Sequence, residues 1–405
     1  MANQSSSPSP LLSASFSQDN RGFSISTRDG FKIFDSESGK LCYERSIGAF
    51  GIVEMLFGSS LLAIVGAGEQ VLLIIFPSVL VYFYADMINY CSVLPISVVW
   101  QPSLSPRRLC LFNTVTGTAI RELNFLTSIL AVRINRKRLV VILQERTYIY
   151  DLNSLIILDT IDTVPNTKGL CAFSPDLDGC YLALPASTTK GSALVYNVMD
   201  LHSHCQVDAH NSPLAAMVLS SNGMYMATAS EQGTIIRVHL VSQATKQSYS
   251  FRRGTYPSTI YSLSFGPSAQ FPEILIATSS SGSVHAFSLG LMINQRSKRS
   301  NSLLGSMIPD KINGAFEPAH HYVLHNAVPA GAKSSAMVHS IEIVASTCST
   351  SIPAAFRASI FIITYNGYFQ EYSLNVNQLN ESSWSLEREF SLISTASDEI
   401  TDWTI

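Results

Sequence analysis

The chain reads as an all-β protein, a seven-bladed β-propeller of four-stranded antiparallel blades, and three observations predict it. A strand ending recurs seven times, at Phe31–Asp35, Leu109–Asn113, Tyr148–Asp151, Leu194–Asn197, Ile236–Leu240, Val284–Ser288 and Phe369–Ser373. Taking residues 34, 112, 150, 196, 239, 287 and 372 as anchors, four of the six spacings fall between 38 and 48 residues, near the ~40 to 45 of one blade. Between the anchors, short β-branched or aromatic runs alternate with Gly, Ser, Asn and Asp turns, the signature of strands rather than helices.

Taken in order, residues 1–11 form a Ser- and Pro-rich lead, expected to be disordered and lacking the basic and apolar regions of a signal peptide. The propeller is expected over residues 12–392, with residues 393–405 as a tail. Two intervals are too long. The first holds the apolar stretch 71–101, whose removal restores the blade period and joins Gly66 and Glu69 to Pro102 through an ordinary polar turn. An insert opening on Val71 and closing on Gln101 has the coding borders of a retained intron. Its hydropathy alone would allow a membrane span, although Pro77 and Pro95 interrupt it. The second long interval is expected to be a loop of blade six over 289–338. There the cations Arg296, Lys298 and Arg299 neighbour the apolar Leu303, Leu304, Met307 and Ile308, a mixture suited to anionic headgroups and shallow insertion.

A formal net charge of -3 argues against a general nucleic-acid binder, so any anion site must be local. Seven cysteines, at 42, 91, 110, 171, 180, 205 and 348, form no Cys-x-x-Cys pair, as expected of reduced thiols in the cytoplasm. No nucleophile-elbow, zincin or P-loop motif is present, so neither catalysis nor a cofactor or small-molecule substrate is expected. His202, His204 and Cys205 read as a polar loop and not a metal site, and His320 and His321 read as loop residues.

The most informative run is Phe251-Arg252-Arg253-Gly254. Adjacent residues of a strand point to opposite faces, so two neighbouring arginines can serve two separate anion sites. Upstream, Thr228, Ser230, Gly233, Thr234 and Arg237 surround one hairpin; downstream, Ser279, Ser283 and His285 surround the next. Hydroxyls, turn N–H groups and guanidinium groups are the donors that phosphate needs.

These motifs, in this order, resemble the PROPPIN family of β-propellers, the WD40-like WIPI and autophagy-related protein 18 group. The resemblance covers roughly residues 12–392 apart from the insert. It implies recognition of phosphatidylinositol 3-phosphate, and often the 3,5-bisphosphate, by two rim pockets. One would use Thr228, Ser230, Gly233, Thr234, Arg237 and Arg252, the other Arg253, Gly254, Ser279, Ser283 and His285. It also implies a membrane-inserting blade-six loop and reversible recruitment from the cytoplasm to preautophagosomal, endosomal or vacuolar membranes. A partner segment around Pro106, Arg107 and Arg108 is implied for the large lipid-transfer protein of autophagy. The insert, just before that segment, departs from the family pattern and bears on whether blade two folds. The competing reading is a WD40-type scaffold that binds proteins alone, for which paired arginines between hydroxyl-rich turns have no use.

Overall fold

The structure, a computed structural model, describes residues 10–68, 104–243, 248–267, 274–289, 320–344, 355–377 and 379–393, with the backbone of 72–76, 79–83 and 97–99. Seven four-stranded antiparallel sheets follow one another along the chain, the architecture of a seven-bladed β-propeller. Each of the seven recurring strand endings lies on the third strand of its sheet. Two compact units divide the chain, residues 1–135 with 139–144 and residues 136–138 with 145–405.

In the first unit, blade two is complete despite the insert. Its second strand, Leu61–Gly66, pairs directly with its third, Arg108–Asn113, through Val65 opposite Leu109 and Leu61 opposite Asn113. The ends of the excursion meet where the Gly68 N–H donates to the Leu104 carbonyl at 3.1 Å. Gly66 is required there, since a β-carbon would lie 1.8 Å from the Leu104 oxygen. The described part of the insert is a separate sheet of Leu72–Phe76, Val79–Phe83 and Ser97–Val99. Among the described residues no helix is long and apolar enough to cross a membrane. Leu11 is 2 % exposed and Leu12 donates to Ser26, so packed structure begins one residue inside the expected lead.

The second unit contains blades four to seven. Blade five has strands Leu214–Leu219, Tyr225–Ser230, Ile235–Leu240 and Ser248–Arg252; blade six has Ile260–Phe265, Ile274–Ser279, Val284–Ser288 and His321–Leu324. Ala229, Ile236 and Phe251 pack with Ala277 and Phe287 in one cluster, and the Phe251 and Phe287 rings lie 5.4 Å apart. Burying each ring contributes about 1.5–3 kcal/mol, which locks the two blades face to face. Residues 321–324 and 334–338, expected within the long loop, are strand instead. Beyond it, the blade-seven strands Ser334–Val344 and Ala355–Thr364 take up more of the chain between the sixth and seventh strand endings, and residues 290–319 lie outside the described residues. His202, His204 and Cys205 likewise lie on a nine-residue strand, His202–His210, and not in a loop.

Candidate functional site

The last strand of blade five sets the site by its register. Arg252 pairs with Ile235, Phe251 with Ile236 and Ser250 with Arg237, while Arg237 pairs with Thr228 on the other side. Cross-strand partners share a face, so Thr228, Ser230, Arg237 and Arg252 lie on one face of the sheet. Phe251 points the other way, toward blade six.

On the first face, Arg237 reaches the end of blade four. Its Nη1 donates to the Ala209 carbonyl and lies 3.4 Å from His210 Nδ1. A guanidinium can only donate, so Nδ1 accepts and the imidazole proton sits on Nε2, 3.1 Å from Thr228 Oγ1. The Thr228 hydroxyl in turn donates to the Arg237 carbonyl at 3.4 Å. Burial, and then the Arg237 charge, push the His210 pKa down to about 4, keeping the ring neutral. Thr228 is therefore a fully buried strut, whereas Arg252 is exposed. His210, which the sequence did not single out, is the hub of this cluster.

Arg253 is held differently. Its N–H donates to the Thr234 carbonyl at 2.8 Å, its Nε to the Gly233 carbonyl at 2.6 Å and its Nη2 to the Tyr256 carbonyl. Gly233 and Thr234, expected beside Arg252, thus serve Arg253 through their carbonyls. Gly233 has φ +60° and a β-carbon there would lie 1.8 Å from the Ser258 oxygen, so the turn Ser230–Gly233, closed by Gly233 N–H to Ser230 O at 2.9 Å, demands glycine. Blade six repeats the device, with Gly282 donating to Ser279 at 3.0 Å. Gly254 has no atom within 4 Å of an added β-carbon, leaving its backbone open.

Facing blade five, Ser279 shares its side of the sheet with Ala277, the partner of His285. Ser279 Oγ lies 2.9 Å from Ser281 Oγ and donates to the Ser283 carbonyl at 3.4 Å. His285 Nδ1 lies 3.0 Å from His321 Nε2, and His321 stacks on Phe287 at 4.4 Å. Burial, then His321, Arg253 and His325, push His285 down to about 3. Burial, then Arg253 and His325, lower His321 as well. Both rings are neutral at physiological pH, and His285 Nε2 is buried without a partner among the described residues.

The electrostatic outcome is one-sided. Among the described residues no carboxylate lies within ion-pair distance of Arg237, Arg252 or Arg253. The acid in the blade-five turn, Glu231, is taken by Lys168 at 2.7 Å. Arg253 is 9 % exposed, and burial lowers its pKa. A buried cation satisfied by carbonyls alone retains an uncompensated charge, which a phosphate can neutralise through charge-assisted hydrogen bonds.

In the first unit, Pro106, Arg107 and Arg108 form a turn closed by Arg108 N–H to Ser105 O at 3.1 Å. Both arginines are exposed, and Arg108 lies 3.4 Å from Glu122. A cavity of about 230 Å³, lined by Phe50, Leu104, Arg108 and Phe112 among others, adjoins the turn. Arg296, Lys298, Arg299, Leu303, Leu304, Met307 and Ile308 lie outside the described residues.

The fold and site define a β-propeller with two unbalanced cationic positions on one blade. The PROPPIN family model matches residues 81–315. The chain is 65% identical over 394 residues to Autophagy-related protein 18b of Arabidopsis thaliana, covering 97% of this chain and 99% of that protein. It is 33% identical over 344 residues to Autophagy-related protein 18 of Dictyostelium discoideum, covering 80% and 82%. Kluyveromyces lactis Hsv2 has the same fold, with a TM-score of 0.65 at 18% identity over 95% of this chain and 99% of that one. KlAtg21, solved with the coiled coil of AgAtg16, gives 0.65 at 22% identity over the same shares. This chain belongs to the PROPPIN family.

Proposed function

We propose that this protein binds phosphatidylinositol 3-phosphate, and the 3,5-bisphosphate, on membranes and acts as an effector in autophagosome formation. The observation that carries the reading is Arg253, a buried cation whose guanidinium is held only by carbonyls, directly after the exposed Arg252 at the strand end. Two headgroup sites on one blade act at high effective concentration toward each other, so weak individual contacts combine into stable, reversible docking. The blade-six segment containing 296–308 would add a hydrophobic attachment. The protein is then cytoplasmic and recruited reversibly to preautophagosomal, endosomal or vacuolar membranes.

Autophagy proteins are its expected partners, in line with the names of its relatives and with the solved Atg21–Atg16 coiled-coil complex. We assign the turn Pro106, Arg107, Arg108 to binding the large lipid-transfer protein of autophagy, because its cations are exposed beside an apolar cavity.

Co-sedimentation with vesicles of phosphatidylcholine carrying unphosphorylated, 3-phosphorylated or 3,5-bisphosphorylated phosphatidylinositol tests the lipid reading. Wild type is expected to prefer the phosphorylated lipids, and a folded R252T/R253T variant to lose binding. Equal binding of wild type to all three, or an unaffected double variant, would favour the alternative of a protein-binding scaffold.

A further inference from the structure

Between Arg253 and the first strand of blade six runs a connector, residues 254–259, stapled to the turns of both blades. Ser258 N–H donates to the Gln232 carbonyl at 3.2 Å, and Ser258 Oγ lies 3.0 Å from Ser280 Oγ. Ser281 N–H donates to Ser258 Oγ at 3.2 Å, and Thr259 N–H to Ser280 Oγ at 3.0 Å. At the other end the Arg253 guanidinium grips the Tyr256 carbonyl. The connector backbone is therefore held at both ends, yet the Tyr256 side chain at its apex is 83 % exposed. Thr255 and Pro257 beside it are exposed as well.

A lone exposed aromatic is ordinary. Here it is presented by the same backbone bonds that fix Arg253, in a segment, 248–260, that contains no acidic residue. Tyrosine has an apolar ring with a polar tip, which favours the boundary between headgroups and acyl chains. Cations without carboxylate partners on the same blade end suit an anionic lipid surface.

We propose that Tyr256 is an interfacial membrane anchor, entering the headgroup layer of the bilayer as Arg253 takes a phosphate. This rests on the lipid reading above. It adds that the connector, separately from any blade-six loop, touches the membrane. Because Arg253 holds the Tyr256 carbonyl, headgroup capture and ring insertion are mechanically joined.

The test compares wild type, Y256A and Y256W on two probes: vesicles containing phosphatidylinositol 3-phosphate, and soluble inositol 1,3-bisphosphate. Partial burial of a ring predicts that Y256A loses vesicle affinity about three- to tenfold, with soluble-headgroup affinity and melting temperature unchanged. Y256W should retain vesicle binding and show tryptophan quenching by shallow nitroxide-labelled lipids beyond that of wild type. Equal vesicle binding by wild type and Y256A overturns the inference while leaving the lipid reading intact. Loss of soluble-headgroup binding in Y256A also overturns it, placing the ring at the ligand. Wild type indifferent to the 3-phosphate fails the lipid reading itself and the inference with it. A Y256A defect confined to a protein partner reassigns the ring to a protein interface.

Discussion

Arg253 Nε donates to the carbonyl oxygen of Gly233 at 2.6 Å, while its neighbour Arg252 makes no side-chain hydrogen bond among the described residues. Two adjacent arginines thus have opposite structural standing, and stability measurements should separate them. R252T removes an exposed, unpartnered cation and should change unfolding free energy by no more than about 0.5 kcal/mol. R253T strips donors from the Gly233 and Tyr256 carbonyls and should destabilise by roughly 1–3 kcal/mol. Thermal unfolding of the two single variants checks this. Equal melting temperatures would contradict the assigned roles.

The same bond makes Gly233 a test of the turn. Alanine there must adopt a left-handed backbone, costing about 1–2 kcal/mol, and must push away the Ser258 carbonyl, 1.8 Å from the new β-carbon. G233A should melt several degrees lower and weaken phosphoinositide binding, since the carbonyl that fixes Arg253 moves. G254A meets nothing within 4 Å and should melt like wild type. Any binding loss in G254A then reports ligand approach to that backbone.

The period of the strand endings was enough to reveal the blades, because the aromatic or imidazole anchor recurs on the third strand whatever the loops do. Arg252, the last residue of its strand, is exposed and Arg253 is buried, a difference between neighbours that local strand alternation anticipates. His210 was not legible, because its partners Thr228 and Arg237 belong to another blade and no local pattern points across that gap. His321 reads as loop in the sequence because its four-residue strand is too short to show alternation. It becomes visible only through pairing with Phe287. The contact between Gly233 and Arg253 is not legible in the sequence for a backbone reason: it is made by the Gly233 carbonyl, and sequence does not show which way a turn carbonyl points.

Acid should destabilise the protein through the two depressed histidines. His210 and His285 have folded values of about 4 and about 3 against an ordinary value near 6.5. The unfolded chain therefore takes up protons that the folded chain refuses. Their contribution is fully present above about pH 6.5 and is lost as pH falls through the folded values, at up to ~1.4 kcal/mol per pH unit for each proton. Arg237 on His210, and His321, Arg253 and His325 on His285, add to the effect of burial, and the hydrogen bond with Thr228 opposes it at His210 as the smallest contribution. Melting temperature should be flat above pH 7 and fall between pH 6.5 and 4. H210Q/H285Q, if folded, should show a shallower fall; an unchanged slope would assign the acid lability elsewhere.

The insert offers the last test, because its two ends already touch. Gly68 N–H reaches Leu104 O at 3.1 Å, and Leu61–Gly66 pairs with Arg108–Asn113 without any help from residues 71–101. Joining Gln70 to Pro102 replaces a long closure by a short one, which lowers loop entropy, and leaves the blade-two register untouched. The shortened protein should therefore fold with an undiminished melting temperature, and its phosphoinositide profile should match that of the full chain, since Arg252 and Arg253 lie in blade five. Removal should also reduce aggregation: the strands Leu72–Phe76 and Val79–Phe83 contain no charged residue, a composition prone to intermolecular pairing. Light scattering with thermal melting checks both points. A shortened protein that fails to fold would show that the insert is part of blade two, and would also count against its origin as a retained intron.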